Sequence, residues 1–306
     1  MPEKEEGKGK NTSILNWLEK KSKAIILPGL EGLSLYDLGE IYTVGIVKGT
    51  FSTRASSIAF SFFMAIFPFL LFILNLIPFV WFIDDFHLKL LAFLDSLLPP
   101  QTSSFFNEIF FDIFNTPRAG LLSFVFVLSI FLMTNGINAI FTGFEYSYHT
   151  HINRSIIRQY FVALGVSLII AFMLLIAVIV VFYLTYIIEN LEAIGVFSDS
   201  LMWAQIGRYV VFILIIYNAV ATLYYFGTKE GRQSRYFSIG AVFTMVLILI
   251  TTFLFKIYIE NFSSYNELYG SIGVLLILML YIWLNANILL LGFELNASIY
   301  RLKQKK

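Results

Sequence analysis

The chain has 306 residues, of which 58% are hydrophobic, 18% aromatic and 13% charged, with a mean hydropathy of +0.79. Because soluble domains carry about 25% charged residues, this composition excludes an ordinary water-soluble fold and predicts an all-α polytopic membrane protein. The net charge of +1 gives no basic field for nucleic acid, and the absence of cysteine excludes thiol catalysis and thiolate metal sites.

The first 54 residues precede the apolar part of the chain. Residues 1–33 form a charged cytoplasmic tail, in which we expect no cleavable signal peptide because the first long apolar run begins near Ser57. Residues 34–54 follow, and a pattern resembling a capping box at Ser34 precedes apolar residues at helical spacing. This pattern predicts an amphipathic helix on the inner membrane face; a solvated entry helix packed on the bundle is the alternative.

Residues 55–300 contain six apolar runs, each long enough to cross a hydrocarbon core about 30 Å thick. A backbone in lipid must satisfy its own polar groups, so the prediction is a six-transmembrane-helix bundle. The predicted spans are residues 57–83, 119–144, 160–188, 209–226, 236–255 and 271–293.

The distribution of Lys and Arg predicts the orientation of these spans. Of the 21 basic residues, 17 lie in residues 1–54, 145–159, 227–235 or 294–306, all on one side of the membrane. The positive-inside rule therefore places both termini in the cytoplasm of a bacterium, with the protein in the inner membrane and residues 301–306 as a basic cytoplasmic tail. The remaining basic residues are Lys89, Arg118, Lys256 and, at the edge of the fourth span, Arg208.

The longest predicted outer connection is residues 84–118. Its two apolar-rich halves, divided by Pro99 and Pro100, predict short amphipathic helices over residues 88–98 and 105–114. These helices would lie at the outer interface, either as a lid over a cavity or as packing that covers helix ends.

Two prolines interrupt the first span. Pro68 lies near its middle and Pro78 near its outer end, with Asn75 between them, and each proline removes a helical N–H. We therefore predict a kinked or broken helix that serves either packing or gating.

A polar stripe marks the end of the second span. Asn135, Asn138, Thr142 and Glu145 are spaced 3, 4 and 3 residues apart, so all four share one helical face. Such groups are costly in lipid, and the stripe predicts a face toward the bundle interior or a hydrated cavity. Hydrogen bonds that merely join helices are the alternative interpretation.

The sixth span carries two further polar stripes: one contains Asn287 and Glu294, and the other contains Asn285 and Asn296. Glu145 and Glu294 are both predicted at cytoplasmic helix ends, where a carboxylate is disfavoured by the helix dipole and needs a basic partner. They either belong to an interfacial salt-bridge network or form a substrate or proton site. The candidate partners are Arg154, Arg158, Lys229, Arg232 and Arg301.

Several of these residues carry a family resemblance that covers about residues 49–300. They are Phe67 and Pro68, Asn138, the Tyr-Gly-Ser-Ile-Gly run at 269–273, Trp283, and the Gly-Phe-Glu-Leu-Asn-Ala run at 292–297. With them the chain resembles the YihY/BrkB family of bacterial inner-membrane proteins, historically labelled ribonuclease BN. The resemblance implies six helices with both termini in the cytoplasm. One departure is Ile239 before Gly240, where the family tends to have proline.

Members of that family carry a virulence label tied to serum resistance, a suggested role in moving lipids or small solutes, or the ribonuclease label. Metal-dependent RNA hydrolysis needs clustered ligands, whereas here only His149 and His151 accompany Glu145. We therefore expect no metal site. No phosphate-binding glycine-rich loop, serine nucleophile elbow or metalloprotease motif is present, so we also expect no cofactor and no enzyme activity.

Three functional hypotheses remain. The leading one is a transporter or lipid translocator of the cell envelope, with a substrate pathway lined by the stripes of spans two and six and gated at the first span. Its partners would be membrane lipids, envelope precursors or small amphipathic solutes, and not nucleic acid. The sequence is compatible with a homo-oligomer. The others are a non-transporting envelope scaffold and an intramembrane enzyme that uses Glu145 and Glu294 as an acid/base pair.

Overall fold

A computed structural model describes residues 20–23, 34, 36, 39, 50–76, 88, 119–145, 155–193, 200–228, 236–261 and 271–305. Almost all of these residues are helical. The long helices are α1 (Thr50–Leu76), α2 (Ala119–Glu145), α3 (Ile156–Ala193), α4 (Ser200–Gly227), α5 (Ile239–Asn261) and α6 (Ser271–Lys305). The chain is thus an all-α polytopic membrane protein, as its composition predicts.

Five of the long helices are long and apolar enough to cross a membrane. The stretches concerned are Phe126–Glu145, Ile156–Ile188, Met202–Gly227, Ile239–Ile259 and Leu275–Tyr300. They correspond to the second to sixth predicted spans. The first predicted span, residues 57–83, runs past the end of α1 into residues that the structure does not describe, and so a count of six is not established.

The helices pack in a ring that follows chain order. Each helix lies against the next, and α6 closes the ring by packing on both α5 and α1. Because successive helices are antiparallel, α1 begins and α6 ends at the same end of the bundle, which we call the terminus-side end. The buried core gathers there, at the start of α1, α3 and α5 and the end of α2, α4 and α6.

Glycines allow close approach at two of these helix contacts. Gly143 of α2 faces Ile58 of α1, where an added Cβ would lie 3.0 Å from the Ile58 Cδ1 atom. Gly240 of α5 and Gly292 of α6 face each other, and a Cβ on Gly292 would lie 3.0 Å from the Gly240 carbonyl oxygen. Small residues at a crossing let helix backbones approach within a membrane, where close packing drives association.

The first helix is continuous across Pro68. The chain is not broken at this residue, since α1 runs from Thr50 to Leu76, and a kink at Pro68 stays a prediction. The Ser129 hydroxyl of α2 donates a hydrogen bond to the Pro68 carbonyl oxygen, so the neighbouring helix supports the backbone at this point.

The sixth helix extends well beyond the predicted span. It continues for eleven residues past Glu294, so this carboxylate lies within a helix and not at a helix end, contrary to our expectation. The cause is the sequence after Glu294, which is polar enough to leave the hydrocarbon but contains no proline or glycine to end the helix. Glu145, by contrast, is the last residue of α2, as expected.

Other predicted elements lie outside the described residues. They are most of the amphipathic helix after Ser34, the short helices of residues 88–98 and 105–114 apart from Leu88, and Pro78.

Candidate functional site

The polar stripe of α2 meets one side chain of α3. Gln159, which is 6% exposed, lies one turn into α3 and faces Asn138, Thr142 and Glu145. With its carboxamide oriented to satisfy these neighbours, its NH2 group donates to the Glu145 carboxylate, 3.1 Å from Oε2. Its oxygen accepts from the Thr142 hydroxyl at 3.2 Å. It also lies 3.2 Å from the Asn138 carboxamide, which can donate to it only with its NH2 group turned toward Gln159. Three of the four stripe residues thus join a single polar cluster.

The fourth stripe residue, Asn135, is half-buried on α2, and its side chain forms no hydrogen bond with the residues that the structure describes. The preceding residue, Thr134, is fully buried and its hydroxyl lies 3.4 Å from Ser167 Oγ of α3. The α2–α3 contact is therefore polar over several turns.

Arg54 joins three helices at the terminus-side end. It lies on the first turn of α1 and donates through Nη1 to the Gly143 carbonyl oxygen of α2 at 3.0 Å. This cation sits at the C-terminus of α2, where it offsets the helix dipole beside Glu145. Burial lowers the pKa of the Arg54 guanidinium, and the carboxylate of Glu294 on α6 opposes that shift. Arg54 is thus held between the end of α2 and the only buried acidic group among the described residues.

Glu294 is deeply buried, with 4% of its surface exposed. It lies on α6 next to Phe293, whose ring stacks on Phe144 of α2 at a centroid distance of 4.1 Å. Tyr224 of α4 completes this aromatic cluster, with centroid distances of 5.6 Å to Phe144 and 5.8 Å to Phe293. The three rings come from α2, α4 and α6, and they fill the centre of the helix ring beside the charged residues.

Tyr224 also carries a buried hydroxyl bridge. Its OH donates to the Leu289 carbonyl oxygen of α6 at 2.8 Å and lies 2.6 Å from Thr244 Oγ1 of α5. These hydrogen bonds join α4, α5 and α6 close to Gly292, next to the aromatic cluster.

The asparagines of α6 have different surroundings. Asn285 and Asn287 donate to the carbonyl oxygens of Tyr281 and Trp283 one turn earlier, each at 2.8 Å. The Asn285 Oδ1 atom is buried and has no partner among the described residues. Asn296 caps α5: its Oδ1 accepts from the Gly240 N–H at 2.8 Å and its Nδ2 donates to Ser238 Oγ at 2.8 Å.

The predicted site therefore divides. Asn138, Thr142 and Glu145 meet at Gln159, and Glu294 interacts with Arg54, whereas Asn296 is engaged with the start of α5. Pro68 and Asn75 both lie on α1, but the structure does not describe the Asn75 side chain. Pro78 is outside the described residues. Among the residues that the structure describes, no group of three or more His, Asp and Glu side chains could hold a metal ion.

A model of the family described as virulence factor BrkB matches residues 45–306, which is most of the chain. The chain belongs to the BrkB family. This match covers all six long helices, the polar side chains around Gln159, and Arg54 and Glu294.

Relatives within the BrkB family differ in how much of the chain they share. The ribonuclease-like protein YfkH of Bacillus subtilis (strain 168) is 27% identical over 254 residues, 82% of this chain and 91% of YfkH. A UPF0761 membrane protein of Glaesserella parasuis serovar 5 is 26% identical over 60% of this chain and 62% of its own length. A UPF0761 membrane protein of Psychrobacter sp. (strain PRwf-1) is 29% identical over 36% of this chain and 20% of its own length. No solved structure matches the chain significantly.

Three residues at this end of the BrkB-family bundle, Arg54, Gln159 and Tyr224, are not among the site residues predicted from the sequence. Arg54 was assigned to the charged segment before the first span and was not among the expected partners of the glutamates. Gln159 lies one residue before the predicted start of the third span, and Tyr224 resembles any aromatic residue of a membrane helix. The signal that could have revealed Gln159 is its uncharged polar side chain, placed directly beside a long apolar run.

Proposed function

We propose that this BrkB-family protein is a transporter or lipid translocator of the bacterial cell envelope that acts on an amphipathic molecule. It would lie in the inner membrane with both termini in the cytoplasm, in the orientation predicted from its basic residues. Two groups of polar side chains at the terminus-side end, which we call together the terminus-side polar cluster, would contact the polar part of the substrate. They are the Gln159 group, with Asn138, Thr142 and Glu145, and the Arg54–Glu294 pair.

The observation that carries this proposal is the burial of Glu294 in a membrane helix. Burying an acidic side chain in a membrane helix costs free energy. Membrane proteins generally retain such a residue where it lines a substrate pathway or binds a coupled ion. Its neighbour Arg54 supplies the opposite charge, and Gln159 with Asn138 adds neutral donors and acceptors. Such a mixture suits a headgroup that carries both charge and hydrogen-bonding groups.

The distribution of polar residues favours an amphipathic substrate over a bare ion. Each predicted span is free of charge in its middle, whereas selective ion pathways commonly place charged or carbonyl rings there. A lipid needs polar contacts mainly at its headgroup, and the polar cluster is confined to one end of the bundle. The proposed role is therefore transport and not catalysis, although the name of YfkH describes that relative as ribonuclease-like.

The first test is mass spectrometry of the lipids that co-purify in mild detergent. We expect the wild-type protein to enrich one lipid or envelope precursor relative to an unrelated six-helix membrane protein. The Glu294→Gln variant, which keeps the shape and removes the charge, should lose that enrichment. Glu6→Gln in the charged tail makes the same chemical change and should retain it.

A second measurement uses liposomes that contain a trace of fluorescent phospholipid. If the protein moves lipid between leaflets, a membrane-impermeant reductant will bleach more than the outer half of the label, and Glu294→Gln will return the bleached fraction to that of empty liposomes. Lipid translocation would be contradicted by two results together. The lipids that co-purify with the wild-type protein would have the composition of the bulk membrane, and the reductant would bleach only half of the label in liposomes that contain it. A set of cross-linked envelope proteins that depends on residues 1–33 would then favour the scaffold.

A further inference from the structure

One buried hydroxyl at the terminus-side end has no hydrogen-bond partner. Ser298 of α6 is 6% exposed, and its Oγ atom forms no hydrogen bond with the residues that the structure describes. Most buried hydroxyls are bonded, and in helices they often donate to a carbonyl oxygen of the preceding turn. Thr134, Thr185 and Thr252 do so here, each to the residue four positions earlier. The Ser298 hydroxyl is therefore available to a group outside its own helix.

Ser298 lies on the same face of α6 as Glu294. The two residues are four positions apart, and a helical side chain leans toward the helix N-terminus, so Ser298 leans toward the turn that carries Glu294. Glu294 is itself only 4% exposed. A carboxylate and a hydroxyl thus lie one turn apart on a buried face, and both can accept a hydrogen bond.

Arg54 brings the opposite charge to this face. Its guanidinium donates to the Gly143 carbonyl oxygen at the end of α2. Gly143 in turn faces α6, since an added Cβ would lie 3.2 Å from the Cδ2 atom of Leu290, one turn before Glu294. These contacts place Arg54 near Glu294, and the two charges interact. Arg54 is half-buried and is the most exposed member of the group.

The two charges restrict the ligands that can bind beside them. A bare cation is attracted by Glu294 but repelled by Arg54, and a bare anion meets the reverse. A zwitterion offers an anion to the guanidinium and a cation to the carboxylate. It can therefore replace the attraction between the two side chains without leaving either charge buried and unpaired, which is the costly alternative.

The Ser298 hydroxyl favours a primary ammonium as the cationic part of the ligand. An ammonium group has three N–H donors, which can bond to the Glu294 carboxylate and to the Ser298 hydroxyl together, whereas a quaternary ammonium has none. A guanidinium binds phosphate or carboxylate through two parallel hydrogen bonds, so Arg54 suits the anionic part.

We propose that Arg54, Glu294 and Ser298 bind a zwitterionic group in which a primary ammonium accompanies a phosphate or carboxylate. The headgroup of phosphatidylethanolamine has this chemistry, and soluble amino phosphates share it. Because Arg54 is the most exposed of the three residues, the group would enter past its side chain. This inference rests on the proposed function and narrows its substrate class from amphipathic molecules to lipids with a zwitterionic primary-amine headgroup.

The first test counts bound lipids by native mass spectrometry of the full-length protein in detergent. Phosphatidylethanolamine competes with phosphatidylcholine, which lacks N–H donors, or with phosphatidylglycerol, which lacks the cation, and all three carry the same acyl chains. We expect the wild-type protein to bind phosphatidylethanolamine at least tenfold more tightly than either competitor. Ser298→Ala should reduce the preference over phosphatidylcholine about fivefold, which corresponds to one lost hydrogen bond, and Glu294→Gln should abolish it.

A stability measurement separates a ligand contact from a structural role of Ser298. Because its hydroxyl is unbonded, Ser298→Ala should leave the unfolding temperature of the lipid-free protein unchanged or raise it. Added phosphatidylethanolamine should then stabilise the wild-type protein more than this variant. Ser56→Ala is the control, since Ser56 is exposed on α1 and its hydroxyl donates to the Ser52 oxygen. This substitution should leave the lipid preference unchanged.

A soluble probe distinguishes the two sources of the headgroup. Glycerophosphoethanolamine carries the same zwitterion without acyl chains. If the lipid is the ligand, an equal concentration of this probe should not displace phosphatidylethanolamine. Displacement at equal concentration would contradict a lipid ligand and show that the site takes the free group.

Two results would overturn the inference. One is equal binding of phosphatidylethanolamine and its competitors by the wild-type protein, and the other is a preference that both Ser298→Ala and Glu294→Gln retain. Lipid movement between leaflets without any such preference would overturn this inference and leave the proposed function intact. A preference in a protein that moves no lipid would contradict the proposed function and leave this binding site intact.

Discussion

At the residue scale, Gly292 is important because it has no side chain. It lies in the Gly-Phe-Glu-Leu-Asn-Ala run of α6, where α5 crosses, and an added Cβ would overlap Thr244 Oγ1 and lie 2.6 Å from the Tyr224 hydroxyl. The same residue therefore allows both the close helix crossing and the hydroxyl bridge between α4, α5 and α6. Glu294 follows two residues later on the same helix.

We predict that Gly292→Ala destabilises the protein by about 1 to 3 kcal/mol, because the methyl group must displace buried atoms of two other helices. Gly165→Ala is the control, since nothing lies within 4 Å of its added Cβ and alanine favours a helix by up to about 1 kcal/mol. Thermal unfolding in detergent measures both. A Gly292→Ala protein as stable as Gly165→Ala would refute the close crossing.

Gln159 is the second critical residue, because three polar side chains of α2 converge on it. Replacing it by leucine keeps the volume but removes the hydrogen bonds between this buried carboxamide and the half-buried polar side chains of α2, which costs about 1 to 3 kcal/mol. We therefore expect Gln159→Leu to unfold at a clearly lower temperature than wild type. The matched control is Gln205→Leu on the exposed surface of α4, which should change stability by less than about 0.5 kcal/mol. Equal effects of the two substitutions would mean that the cluster contributes nothing to stability.

At the element scale, the start of α5 shows how two helices share one cap. Ser238 is the N-cap, and its hydroxyl accepts from the Ala241 N–H at 3.3 Å. Asn296 of α6 accepts from the Gly240 N–H. The first backbone N–H groups of α5, which have no acceptor within the helix, are thus bound by the side chains of Ser238 and Asn296. Asn296, predicted to line a substrate pathway, is thus committed to helix capping in this structure.

The first helical residue of α5 is Ile239, a position that accepts proline because its N–H has no partner within the helix. We predict that Ile239→Pro is neutral or stabilises the protein by about 0.4 to 1 kcal/mol. Val242→Pro, three residues later, removes the hydrogen bond from the Val242 N–H to the Ser238 oxygen and should cost about 3 kcal/mol. Thermal unfolding of the two variants compares them, and destabilisation by Ile239→Pro as large as that by Val242→Pro would contradict this assignment of the helix start.

At the scale of the whole molecule, the ring is packed tightly at one end. Helices α2, α4 and α6 contribute the three central rings of Phe144, Tyr224 and Phe293, and Arg54 approaches Glu294 beside them. The proposed transport can be given a direction only when it is known which side of the membrane this tightly packed end faces. The orientation itself stays a prediction from the basic residues.

The absence of native cysteine makes that orientation directly measurable. We predict that Leu88→Cys reacts with a membrane-impermeant maleimide on intact spheroplasts, whereas Lys306→Cys reacts only after permeabilisation. The unsubstituted protein is the control and should not be labelled in either condition. Labelling of Lys306→Cys on intact spheroplasts would reverse the orientation and place the terminus-side polar cluster outside.

Much of the element structure was predictable because membrane helices leave long apolar runs in a sequence. Five of the six predicted spans coincide with membrane-length helices, and the end of α2 at Glu145 was anticipated within one residue. The site was predicted in part: Asn138, Thr142 and Glu145 share a helical face by spacing alone, and the structure brings them together. The pairing of Gln159 with them could not be predicted, because spacing within one helix says nothing about the side chain that faces it on another helix.

The sequence by itself determined the class of this protein, the approximate positions of its helices and the polar faces of α2 and α6, because each depends only on hydrophobicity and on periodicity within one segment. The tertiary structure alone decided which polar groups are partners: Gln159 with the α2 stripe, Arg54 with Gly143 and Glu294, and Asn296 with the start of α5. These relations join residues up to 240 positions apart, such as Arg54 and Glu294, and they arise only when the ring of helices closes.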